Sequence, residues 1–140
     1  MTGPKSEDEL RSLATSYSQL SREDLLIELQ RLIEPAQFKE APSDTERKRE
    51  GEGIWRRLRS RVAVIVCRNR QAGGNQSINA LILAGAGAFI EEVAKKIIGE
   101  GILPGVTAAT AAAVGALLYK EVQQDVDDFC EAYYLSSDEG

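Results

Sequence analysis

Histidine is absent from this chain of 140 residues. That gap removes the commonest metal ligand, the Ser–His and Cys–His nucleophile pairs, and the usual general base at neutral pH. Cysteine is scarce. Cys67 and Cys130 stand far apart and neither belongs to a Cys-x-x-Cys pair, so zinc sites and thioredoxin-like chemistry have no foothold. Their apolar or amphipathic surroundings favour two half-buried core thiols in a reducing compartment, with a disulfide closing the long loop or a reactive thiol as the alternatives. Phosphate-binding glycine loops are missing as well. Gly73-Gly74 and Gly85-Ala86-Gly87 match neither a P-loop nor a dinucleotide fingerprint, which leaves them turn and packing roles. Residues 1–20 lack a basic segment followed by an apolar one, so a cytoplasmic location is expected. No catalytic, cofactor-binding or metal-binding set emerges, and the chain is not expected to be an enzyme.

The composition, 43% hydrophobic and 28% charged, is that of an ordinary globular protein able to bury a core without staples. Charge is unevenly placed. Between Glu46 and Arg70, nine Arg and Lys residues face three Glu, a balance of +6; the net charge of −5 leaves −11 for everything else.

Helical signals run along the whole chain. Ser6-Glu7-Asp8-Glu9 is a capping box, and Leu10, Leu13, Tyr17 and Leu20 follow at helical spacing. Ser21 opens a second helix with acidic residues in its first turn; Leu25, Leu26, Leu29, Leu32 and Ile33 form its stripe, and Pro35 ends it. These two would make a helical hairpin over residues 1–39. Residues 40–53 read as a flexible linker closed by Gly51 and Gly53. Ser43-Asp44-Thr45-Glu46 also fits a capping box, but a turn or two begun there has no apolar stripe to bury.

A helical core domain is expected over residues 54–135, before an acidic tail at 136–140. Ile54, Leu58, Val62, Ile65 and Val66 lie on one face of its first helix. The β-branched stretch from Arg61 to Cys67 would also suit a strand, although no second strand is available to pair with it. After a turn over residues 71–76, a helix is expected from Ile78 to about Ile98, with Leu81, Ile82, Gly85, Phe89, Val93 and Ile97 inward. Gly99-Glu100-Gly101 stops it, and Pro104 sits at the first position of a last helix reaching about Tyr134. The fold class is all-α: a compact bundle of four to five helices around a central apolar helical hairpin.

Four features bear on function. The segments from Ile78 to Ile90 and from Ile102 to Tyr119 carry no charge, and their small residues would suit close helix packing in a bundle or a membrane. The first has 13 residues, short of the roughly 20 a bilayer needs. The second is mostly Ala, Gly and Thr, which contribute little of the about 0.3–0.6 kcal/mol per residue that large apolar side chains supply to insertion. Membrane contact is therefore expected only on a trigger. Trp55, Arg56, Arg57, Arg59, Arg61, Arg68 and Arg70 form a basic helix suited to an acidic partner surface. It could instead pair internally with Glu7, Asp8, Glu9, Glu23, Asp24, Asp125, Asp127 or Asp128. Nucleic acid is a weaker candidate because the whole chain is acidic. Finally, Glu121, Asp125 and Asp128 share a face of the last helix and read, with Asp127 and Glu131, as solvated surface. No EF-hand loop accompanies them.

The order of a Trp-led basic helix ending in Cys67, an Ala/Leu/Ile-rich helix, a Gly-Ile-Leu-Pro-Gly-Val break and an Ala/Val-rich helix ending in Asp128-Phe129-Cys130 resembles small uncharacterised all-α bacterial domains associated with conflict and signalling proteins. The resemblance spans about residues 54–134 and brings no catalytic set. It implies an accessory or effector-associated helical module. The expected function is protein–protein interaction, as an adaptor, accessory or regulatory module, with self-association as one form. A membrane-active effector and nucleic-acid binding through the basic helix are the alternatives.

Overall fold

Every regular element among the described residues is an α-helix, as the pervasive 3.6-residue periodicity predicts. The structure, a computed structural model, describes residues 3–71, 75–123 and 128–131, with side chains placed for residues 8–67, 80–123 and 128–131. Among the described residues there are seven helices: α1 (Gly3–Ser18), α2 (Arg22–Ile33), α3 (Pro35–Glu40), α4 (Asp44–Gln71), α5 (Asn75–Ala84), α6 (Ala86–Gly99) and α7 (Ala108–Val122). One further helical turn covers residues 128–131.

Helix α7 is the centre. Thr107 caps it by accepting from the Thr110 N–H at 3.1 Å, and every residue from Thr110 to Leu118 is buried. A helix buried all round needs small side chains on the faces where neighbours approach closely. Gly115 shows this: a Cβ there would stand 3.3 Å from the Ile90 carbonyl oxygen of α6. Helices α1, α2 and α6 pack against α7, and α2 also packs against α4. Phe89, Val93 and Ile97 point into the core as their spacing predicts. Two polar groups sit uncomfortably: Gln30 is fully buried, and among the described residues neither its amide atoms nor the buried Glu34 Oε1 has a hydrogen-bond partner.

Several expected boundaries move, each for a local reason. Helix α1 begins at Gly3, not Ser6, because Pro4 is tolerated in a first turn where its missing N–H costs nothing. Pro35 ends α2 and at once opens α3. The expected long helix from Ile78 is two helices. Gly85 adopts φ +113°, outside the helical region, and its carbonyl accepts from Phe89 N–H to start α6. Pro104 is not the first residue of the last helix; it lies in the loop before Thr107. Helix α7 stops at Val122, so Glu121 and Asp128 do not share one helix face, while Asp125 and Asp127 lie outside the described residues, as do Gly73 and Gly74. The stop after Gly99 is as expected: Gly101 takes φ +65°, and the N–H groups of Gly101 and Ile102 return to the carbonyls of Ile98 and Ile97.

The largest correction concerns residues 40–53. Only residues 41–43 connect, and α4 starts at Asp44, ten residues before Ile54. Ser43 caps it, accepting from Glu46 N–H at 3.3 Å. This first stretch of α4 needs no apolar stripe because other contacts hold it. The Arg47 guanidinium lies 4.3 Å from the Phe38 ring centroid and donates to the Phe38 carbonyl. Gly51 is buried where α4 crosses α2, and a Cβ there would fall 2.0 Å from the Leu26 carbonyl oxygen. Beyond it, Arg22 makes a two-pronged ion pair with Glu52, at 2.9 and 3.0 Å.

The cysteines are also corrected. Cys67 and Cys130 are not free thiols: they form a fully buried disulfide with Cα atoms 5.5 Å apart, tying the end of α4 to the turn at 128–131. Sequence spacing could not decide between the alternatives because pairing depends on Cα–Cα distance in space.

Candidate functional site

The candidate site is the outer face of α4 and the groove beside it. Ile54, Trp55, Val62, Val66 and Cys67 turn inward with almost no exposure. The helical repeat therefore turns Arg56, Arg57, Ser60 and Arg61 outward, and all four are exposed.

The seven residues expected to meet a partner separate into three groups. Trp55 leaves the set because it is fully buried. Its indole N–H donates to Glu121 on α7, and Arg59 reaches the other oxygen of the same carboxylate at 3.3 Å. Glu121 is thus an internal clamp between α7 and α4, not solvated surface, and it was not among the acids expected to serve the arginines. The side chains of Arg68 and Arg70 lie outside those described. Arg56, Arg57 and Arg61 remain on the surface. Among the described residues no carboxylate lies within ion-pair distance of any of these three.

That contrast is sharp because the other described arginines are engaged. Arg11 faces Glu91, Arg22 faces Glu52, Arg31 faces Glu28, Arg47 faces Asp44, Arg49 faces Glu46 and Arg59 faces Glu121. Electrostatics follow these pairings. The hydrogen bond from Arg22 holds the Glu52 carboxyl below its ordinary range, with Arg56 and Arg59 adding smaller pulls. Glu28 is held low chiefly by Arg31, while burial first and the Glu28 hydrogen bond second push the Tyr17 phenol up.

Beside Arg61 runs a groove of about 340 Å³ between the end of α2, the middle of α4 and the loop leading into α7. Leu32, Ile33, Leu58, Leu103 and Val106 line it together with Arg61. Ile33 remains 40% exposed on its lip. Sequence reading missed this groove. Its one available signal was a large aliphatic residue, Ile33, at the end of a stripe just before Pro35, where the helix can no longer carry it under a neighbour. A second exposed apolar side chain, Leu83 of α5, is 86% accessible.

Among the described residues, no group of three or more His, Cys, Asp or Glu side chains could hold a metal ion, and no helix is long and apolar enough to cross a membrane. No known family model matches the chain, and neither a curated protein nor a solved structure is found to be similar to it.

Proposed function

We propose that the chain is a non-enzymatic protein-interaction module whose docking surface for an acidic partner is the outer face of α4. One observation carries this reading: Arg56, Arg57 and Arg61 are exposed, and among the described residues no carboxylate comes within ion-pair distance of them, whereas the other described arginines are all paired. Unpaired guanidinium groups on a rigid helix are pre-organised to receive carboxylates in two-pronged geometry. They steer association and fix register more than they add raw affinity.

The test is a comparison of wild type with Arg57→Glu/Arg61→Glu in affinity capture from the native cell. A partner retained by the wild type and lost by the variant, at unchanged helical circular dichroism, is the expected result. Equal retention by both proteins would refute the reading.

The buried disulfide supports an oxidising compartment as the place of work, in place of the cytoplasm. Alkylation of the denatured, unreduced protein from its native source should leave both cysteines unmodified. A membrane-active effector is the second reading, supported by exposed Leu83 next to the Gly85 break. Dye release from anionic vesicles by the full chain, abolished by Leu83→Ser, would favour it over the interaction module. For nucleic acid the outer face offers little: Trp55, the aromatic ring beside the arginines, is buried and has no face free to stack on a base.

A further inference from the structure

The groove next to Arg61 specifies more than the sign of a partner's charge. We infer that it seats a large aliphatic side chain from an acidic peptide segment of a protein partner, with the carboxylates of that segment meeting Arg57 and Arg61. This rests on the reading of the outer face of α4 as a docking surface, and it adds the anchor that makes such docking selective.

Three observations lead there. The lining sets the aliphatic side chains of Leu32, Ile33, Leu58, Leu103 and Val106 beside Thr107 and Thr110, whose hydroxyls bond to each other, and the cationic group in that lining is Arg61. Arg57 stands one helical turn before Arg61 on the same face of α4, so two guanidinium groups with no carboxylate in ion-pair distance among the described residues follow one another along the side of α4 that bears the slot. A ligand that satisfies both must bring an apolar group and at least two acceptors at helical or extended-chain spacing. A polyphosphate backbone brings the acceptors without the anchor. A single fatty acid brings the anchor with one carboxylate.

The shape argues against an enclosed small-molecule site as well. Ligand pockets of roughly 300–1,000 Å³ usually bury about 70–90% of the ligand. Here Ile33, Arg61, Pro104, Gly105 and Thr107 are all exposed, so the slot covers one face of its occupant only. That suits a side chain delivered by a longer segment lying across it, the arrangement used when helices or strands dock in grooves.

The test uses the full, oxidised chain labelled with ¹⁵N and two synthetic peptides of about 14 residues. Both carry Glu residues one helical turn apart; one has a central Leu between them and the other has Ser in its place. The Leu peptide should shift the amide signals of Ile33, Leu58, Leu103 and Val106 as well as those around Arg57 and Arg61. It should bind about tenfold or more tighter than the Ser peptide, the gain expected for burying one leucine. Ile33→Ser, a change at an exposed lip that leaves the core intact, should reduce this advantage and leave the Ser peptide unaffected. Equal affinity for the two peptides, with shifts confined to the arginines, would overturn the anchor while leaving the basic docking face standing. Binding of neither peptide would remove both. Concentration-dependent shifts in the groove without any peptide would assign it to a second copy of this chain and overturn the inference. Saturation of the groove by octanoate as readily as by the Leu peptide would overturn it in favour of a small amphiphile.

Discussion

The two faces of α4 are interleaved residues of one stretch of chain, yet they meet opposite demands. The inner face carries Gly51, Ile54, Trp55, Val62 and Cys67, each committed to one neighbour: the α2 backbone, the core, Glu121 and Cys130. The outer face carries Arg56, Arg57, Ser60 and Arg61, which touch little of their own protein. Inner contacts are close and geometrically exacting, so substitution there should cost stability. Outer residues are solvated, so substitution there should cost association alone. A helix can thus be a structural strut and a docking surface together, because a turn of 3.6 residues keeps the two sets apart.

Substitutions can break or sharpen that division. The largest effect is expected at the disulfide. Its half-cystines are 63 residues apart in sequence, and Cys67→Ala/Cys130→Ala should lower unfolding free energy by about 4 kcal/mol in the chain-entropy account of cross-links. Urea denaturation with and without reductant measures it, and a change below about 1 kcal/mol would mean the link adds little to a closure the core already enforces.

Gly51→Ala comes next, since its Cβ would overlap the Leu26 carbonyl of α2, a backbone atom that cannot step aside without moving the helix. A loss of about 3 kcal/mol is expected, at the upper end for overpacking. The same substitution at Gly53, where an added Cβ meets nothing, should be neutral or slightly stabilising through helix propensity.

Glu121→Ala would strand the buried Trp55 N–H and release Arg59, for an expected loss of about 2 kcal/mol. Near-silent thermal melts for this variant would show that the clamp contributes little.

A smaller effect should appear with pH. Because Arg22 holds the folded Glu52 carboxyl below its unfolded value, the pair stabilises fully above the unfolded value of about 4.3 and loses its contribution as pH falls through the folded one. Both groups are partly exposed, so the amount is under about 1 kcal/mol. Glu52→Gln should be less stable than wild type at pH 7, with the gap closing as the solution is acidified towards pH 3. Smallest of all, Arg57→Glu/Arg61→Glu should change unfolding free energy by within about 0.5 kcal/mol. A large loss would place these arginines on the inner side of the comparison and remove the outer face as a docking surface.

Periodicity and local chemistry made much of this legible beforehand. The apolar stripes of α2 and α4, the Ser21 cap, the glycine stop after α6 and the all-helical class follow from spacing and backbone preference, which neighbours in sequence control. So does the outward turn of Arg56, Arg57 and Arg61. The candidate site was therefore half visible: its cations could be read, but its groove could not, since Ile33, Leu58 and Val106 come from three separated segments. Residues 44–53 show the same limit, for their helix is held by Leu26, Arg22 and Phe38, none of which is local to it.

What the sequence determined by itself was where helices can form and which faces are greasy or charged, because both are set within a few turns of chain. Only the tertiary structure decided that Trp55 lies inside, that Gly51 is a crossing point, and that the two cysteines are joined. Those outcomes depend on which distant segments approach one another, and approach is a property of the packed whole: burial, close backbone contact and a covalent bridge all require a partner that no window of sequence contains.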